Sequence, residues 1–356
     1  MAAHIPLNPQ RFFGEVGGEP VALFRLRHAN GMEVAVCNLG AKVLQILVPD
    51  RDGVLGDVAL GYDSLAALQA GAPSMGAFIG RVAGRIAQAR YTLDGTAYAL
   101  EPNAGSHSIH GGPNGSRHRV FSAHQDTPDA LTLRLRFEPS VDRHPGILDL
   151  TLSYRLTDGH TLVVEHEAVA VCNASPASPA SFTPHIFFNL DGPGDTLVDE
   201  HRLQVFADRL LAADADNVAN GERTPLDGHA LDLRQPRRLG GLPDIDHAYE
   251  LAGSTPGSLR RVAQAHSPVS GRTLDVWTTE PVMQVYTAGA LGTGAAPDIG
   301  KRGVVHRPRA GLCLEPQQYP NAVNCPAFPL MRVAVGQPYR ARTAFRFGTG
   351  DISRGQ

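Results

Sequence analysis

The sequence predicts an all-β protein, a large antiparallel β-sandwich with few short helices. Three observations carry that expectation. Apolar and polar residues alternate with period two over several runs, Asp-Gly turns recur between them, and 38 glycines and 27 prolines are spread along the 356 residues. Alternation puts successive side chains on opposite faces of a strand, so that one face is buried and the other wet. Many such strands joined by turns build sandwiches.

Along the chain, the best helical signal is Asp63 to Gly71, with Asp or Ser as the cap and Gly as the stop. Asp94-Gly95 then marks a turn. Leu131 to Phe137 and Leu148 to Tyr154 alternate, and Thr157-Asp158-Gly159-His160 separates the latter from Leu162 to Ala170, which reads as a hairpin with an Asp-Gly turn. Asp191-Gly192 and Asp227-Gly228 repeat the punctuation, and Tyr339 to Phe347 alternates again. With neither a flexible linker nor a fixed-period repeat, residues 1–356 are expected to form a single domain.

Composition narrows the function. The chain is 42% hydrophobic and 19% charged with a net charge of -3, which argues against disorder and against the basic footprint of a nucleic-acid binder. A small neutral substrate suits this balance. The first residues, MAAHIPLNPQRFF, lack a basic segment followed by an apolar one, and no window approaches the roughly 18 apolar residues of a membrane span. Cys37, Cys172, Cys313 and Cys325 are far apart and form no C-x-x-C pair, so they are expected to be reduced core thiols. The expectation is a cytoplasmic enzyme, monomer or homodimer, with no membrane and no nucleic-acid partner.

Several segments carry polar residues where a strand interior would not need them. In Leu312-Cys313-Leu314-Glu315-Pro316-Gln317-Gln318-Tyr319-Pro320, an acid follows an apolar run and precedes a proline. Pro316 is expected to end the strand; the acid before it either points into water there, or is buried and needs a partner or a task. Asn103 to Gly115 holds His107 and His110 three apart before Gly111-Gly112. That spacing lacks the further Cys or carboxylate of a zinc set, and the glycines allow close backbone approach to a ligand. A turn histidine bonded to its own loop is the plainer alternative. Gly76 to Ile86 brings Arg81 and Arg85 into a glycine-rich segment without a phosphate-loop ending; Arg85 is the candidate inward guanidinium, a surface ion pair the alternative. His185 sits in an aromatic strand, where it is either a satisfied core residue or a site residue. Asp246 and Gln284 are polar residues flanked by apolar ones.

Taken in order, these segments resemble the aldose 1-epimerase family. Its Gly-Arg-x-Ala-Asn-Arg-Ile looks like residues 80–86, its Leu-His-Gly-Gly like Ile109 to Gly112, and its Thr-Asn-His-x-x-Phe-Asn-Leu like Thr183 to Leu190. Asp246 to Tyr249, Gln284 to Thr287 and Leu314 to Asn324 match three further motifs. The resemblance implies a galactose mutarotase-like supersandwich with a sugar cleft, no cofactor and no metal, that interconverts the α and β anomers of a free aldose. By the same resemblance Glu315 is the general base at the anomeric hydroxyl and His185 the acid at the ring oxygen. His110 is a second histidine there, and Arg85, Asp246 and Gln284 hold sugar hydroxyls. Such chemistry takes one proton and gives another at neighbouring oxygens. A carboxylate beside His185 is expected to raise its pKa and keep it protonated at neutral pH.

Three departures are visible. Gly84 and Pro184 stand where the family usually has Asn, and Gly115-Ser116-Arg117 replaces the usual Gly-Phe-Asp. Two alternatives therefore accompany the main expectation: a carbohydrate-binding or sensing protein without turnover, and a sugar-phosphate 1-epimerase, which needs a cation cluster beyond Arg81 and Arg85.

Overall fold

The computed structural model describes residues 5–171, 176–192, 196–253, 255 and 257–351, except the side chain of Asp126. The alternating runs pair into a nine-stranded antiparallel sheet. Its order is Ser122–Thr127, Ala130–Phe137, Leu148–Thr157, Thr161–Ala170, Tyr339–Thr349, Arg272–Thr278, Arg260–His266, Arg202–Val205 and Arg237–Arg238. A six-stranded sheet runs Phe187–Phe188, Leu312–Gln317, Val282–Tyr286, Asp246–Leu251, Ala207–Ala213 and Ala219–Pro225. A third sheet of four strands is made of Leu23–Arg27, Glu33–Cys37, Lys42–Pro49 and Leu55–Asp57.

One apolar core joins all three. Leu133, Leu150, Leu152 and Phe345 of the large sheet, Met283, Val285, Leu312 and Leu314 of the second, and Val34, Val36 and Ile46 of the third share one buried cluster. The fold is all-β as expected. Among the described residues the α-helices are short, Leu65–Ala70 and Pro139–Asp142, and none is long and apolar enough to cross a membrane. Leu65–Ala70 has the expected ends. Ser64 Oγ accepts from the Ala67 amide, and the Gly71 amide donates to the Ala67 carbonyl.

The hairpin closes on Thr157 opposite Thr161, so its loop is Asp158-Gly159-His160, with the last two residues in the left-handed region that Gly tolerates best. Cys37, Cys313 and Cys325 are buried and free, and Cys172 lies outside the described residues. One expectation needs correcting. Pro316 was expected to end its strand, yet the strand continues to Gln317, with Pro316 opposite Met283. The neighbour on the other flank covers only Leu312 and Cys313, leaving a free flank at Pro316 where a missing amide proton is tolerated.

Candidate active site

The six-stranded sheet has two faces with different fates. Period two sends Leu312 and Leu314 into the core and turns Cys313, Glu315 and Gln317 the other way. That second face floors a cleft of about 420 Å3. Register assembles the polar floor: Gln284 lies directly opposite Glu315, and Asp246 lies one strand further, opposite Tyr286. Gln284 Nε2 donates to Asp246 Oδ1 at 2.7 Å, and Asn217 Nδ2 donates to Oδ2 at 3.2 Å. Arg85 Nη1 stands 3.9 Å from the same Oδ2.

The opposite wall carries both histidines. His185 follows Thr183–Pro184, which pair with Phe78–Ile79, and its backbone is tied by an amide donating to the Ala77 carbonyl and a carbonyl accepting from the Gly76 amide. Its ring stacks on Phe187 with centroids 5.0 Å apart. His185 Nε2 then lies 3.6 Å from Glu315 Oε2. His110, at φ 55°, meets the His185 ring edge-on at 5.3 Å. The Gly84 amide donates to His110 Nδ1, so the neutral ring carries its proton on Nε2 and offers a donor. Gly111 has a steric reason: a Cβ there would sit 2.1 Å from the Gly80 carbonyl oxygen.

Burial sets the charges. Glu315 is 1% exposed and His185 5%. Desolvation, with Asp246 adding repulsion, pushes the Glu315 carboxyl well above the usual carboxylate range. Desolvation also pulls His185 down to about 3 and His110 well below its ordinary value, with nearby cations adding to both shifts. This corrects the expected protonated His185. Loss of water dominates at both groups, disfavouring the imidazolium at His185 and the carboxylate at Glu315. Among the described residues, Glu315 Oε2, His185 Nδ1 and Gln317 Oε1 are buried without a hydrogen-bond partner. Such groups are costly unless something binds them.

All six residues singled out in the sequence line this one cleft. His107 does not; its Nδ1 accepts from the Gln88 amide and its Nε2 lies 3.4 Å from Asp216, so the two loop histidines part. Arg81 is not at the cleft mouth either. It is fully buried and forks onto Asp142 at 2.7 and 2.9 Å, which removes it from any cation cluster for a phosphate. Sequence reasoning missed Asn217, Gln317 and Arg117. Gln317 had a signal, since it shares the alternating face of Glu315. Asn217 had none, because it reaches the cleft from another loop.

A buried carboxyl and an imidazole in proton-transfer reach, above a floor of hydroxyl-binding polar groups, define an acid–base isomerase of carbohydrates. The family description "Aldose 1-epimerase" matches residues 22–346. Galactose mutarotase of Rattus norvegicus is 35% identical over 94% of this chain and 97% of its own length; aldose 1-epimerase of Escherichia coli K12 is 30% identical over 93% and 96%. The solved GalM/aldose epimerase homologue from C. elegans superimposes with a TM-score of 0.85 at 26% identity, covering 93% of this chain and all of its own. The chain belongs to the aldose 1-epimerase family, and it is an isomerase that interconverts the anomers of an aldose.

Proposed function

We propose that Glu315 and His185 are the proton-exchanging pair for free hexoses such as galactose and glucose. The observation that carries this is their 3.6 Å separation at the buried floor of the cleft. A sugar hydroxyl donating to Glu315 favours the carboxylate, so the pair's proton moves to His185 as substrate seats. Glu315 then takes the proton of the anomeric hydroxyl. The bond from C1 to the ring oxygen breaks, its electrons pass to that oxygen, and the oxygen takes the proton from His185. The open aldehyde turns about C1–C2, the hydroxyl adds to its other face, and both protons return.

The remaining groups hold the sugar while this happens. His110 donates from Nε2, Asp246 accepts, and Arg85 and Gln284 donate to ring hydroxyls, fixing the ring for proton transfer. The three buried free thiols suit a reducing compartment, and we place the enzyme in the cytoplasm. The test is polarimetry of freshly dissolved α-galactose and α-glucose. The protein accelerates both, and Glu315→Gln lowers the acceleration by roughly 100-fold to 10,000-fold, the usual worth of a positioned acid or base. An unchanged rate in a folded Glu315→Gln protein would remove Glu315 from the mechanism.

A further inference from the structure

The cleft contains a cation that neither the proton exchange nor the hydroxyl contacts use. Arg117 is 7% exposed and lines the cleft beside Ser74. The chain places it deliberately: Ser116 Oγ donates to the Phe78 carbonyl at 2.6 Å, anchoring the turn from which Arg117 reaches in. Arg117 Nη1 donates to Ser74 Oγ at 2.8 Å and Nε donates to His118 Nε2 at 3.0 Å. Both partners are uncharged, since burial and the neighbouring Arg117 and Lys42 hold His118 down to about 4. Among the described residues Arg117 makes no ion pair, and Nη2 keeps its donors unspent. Burial alone lowers the guanidinium to about 10, with no anion to offset it. Buried Lys42, also without an ion pair among the described residues, adds positive charge nearby.

Ring connectivity says what Arg117 meets. With the anomeric oxygen at Glu315 and the ring oxygen at His185, C2 to C4 run toward Asp246, Gln284 and Arg85. C5, the other neighbour of the ring oxygen, returns on the histidine side. Arg117 stands on that histidine side: its partner Ser74 lies two residues before Gly76, whose amide donates to the His185 carbonyl, and Ser116 is bonded to Phe78, which pairs with Pro184. In the sugar orientation proposed above, the guanidinium faces the substituent of C5, the C6 group.

We propose that Arg117 forms an anion subsite for C6, and that the substrates include free hexuronic acids, whose planar C6 carboxylate pairs with the guanidinium fork. This rests on the sugar orientation set by Glu315 and His185. A carboxylate matches a fork's paired donors and a single negative charge, whereas a phosphate dianion calls for a cluster of cations; among the described residues lining the cleft, Arg117 is the guanidinium left without a carboxylate, and Lys42 does not line it. Arg81 is spent on Asp142 and Arg85 faces Asp246.

The experiment is anomer-exchange NMR at pH 7 with galactose, galacturonate and galactose 6-phosphate, on the wild type, Arg117→Met and Arg117→Lys. The expected result is acceleration of galacturonate exchange, and an Arg117→Met loss on galacturonate that exceeds its loss on galactose by about tenfold or more, the factor carried by one good contact. Arg117→Lys recovers part of that difference. In the wild type, galacturonamide, which keeps the shape of galacturonate without its charge, is exchanged more slowly than galacturonate, a readout that stands even where Arg117→Met fails to fold. Equal losses on both sugars, turnover of galactose but not of galacturonate, or a preference for the 6-phosphate would each overturn the subsite. Should no sugar be turned over, the proposed proton pair fails. Calorimetric binding of galacturonate that is tighter than galactose and lost in Arg117→Met would still uphold the subsite, and its absence would overturn it.

Discussion

Glu315 is a residue the fold stabilises only while it is protonated. Its free side chain ionises near 4.5, and burial raises that value in the folded chain. Above the lower value the unfolded chain releases a proton that the folded chain keeps, so this residue's contribution to stability is full below it and falls as pH rises. Glu315→Gln is therefore expected to melt higher than the parent at about pH 8 and close to it at about pH 4, while losing activity. Scanning calorimetry at both values checks this, and a lower melting point at the alkaline value would contradict the buried, neutral carboxyl. The same pair shapes the rate profile. On the proposed mechanism the active free enzyme carries one proton on Glu315 and His185 together; it would gain a second near His185's value of about 3 and lose its only one above the ordinary carboxylate range. kcat/KM should hold level through mildly acidic pH, and a fall setting in below about pH 6 would show that His185 keeps an ordinary pKa. Gly84 offers a contrasting case. Its φ of 76° lies in the left-handed region, which Asn tolerates better than other side chains, and a Cβ would press on Pro320 at 3.1 Å, so that ring must give by a few tenths of an ångström. Gly84→Asn should cost little stability, read by urea unfolding, and lower KM several-fold by adding a donor at the cleft wall, one hydrogen bond being worth about 1 kcal/mol.

Elements, more than single residues, decide what sequence reading can find. The Leu312–Gln317 strand was legible as an apolar run closing on an acid, and the family resemblance, not the run itself, pointed Glu315 to the cleft that it does line. The hairpin at Asp158-Gly159-His160 and the Ser64-capped helix were legible for the same kind of local reason. Two things were not. The charge state of His185 depends on how much water the surrounding walls remove, which no local pattern encodes. Arg81 and Arg117 sit in similar polar loops, yet one is locked to Asp142 and the other opens into the cleft beside Ser74, because Asp142 and Ser74 come from segments far away in sequence. The His110 loop invites a test at this scale. Gly111 has φ 81° and no room for a Cβ, so Gly111→Ala should destabilise by roughly 1–3 kcal/mol and displace His110, lowering kcat as well. Urea unfolding and polarimetry together would read both effects.

At the scale of the molecule, buried charges tie distant segments of chain. Lys301 Nζ donates to Asp57 Oδ2 at 2.5 Å and to the carbonyls of Leu44 and Ala59, joining the four-stranded sheet to a loop 244 residues later. Lys301→Met would remove the cation paired with buried Asp57, whose carboxylate would keep the Ile46 and Ala59 amides and the Gln45 side chain, and should cost about 3–5 kcal/mol, measured as a lower urea midpoint; a change below 1 kcal/mol would mean water reaches the site. The three-sheet architecture has a consequence for how the chain comes off the ribosome. Tyr339–Thr349 lies in the middle of the nine-stranded sheet, bonded to Thr161–Ala170 on one side and Arg272–Thr278 on the other. Until that strand emerges, the nascent protein presents two half-sheets with open edges, each a template for pairing with a neighbouring chain. The sheet can be sealed only once residues 339–349 have left the ribosome, so a product stopped before them would be a client for chaperones, not a partly active enzyme.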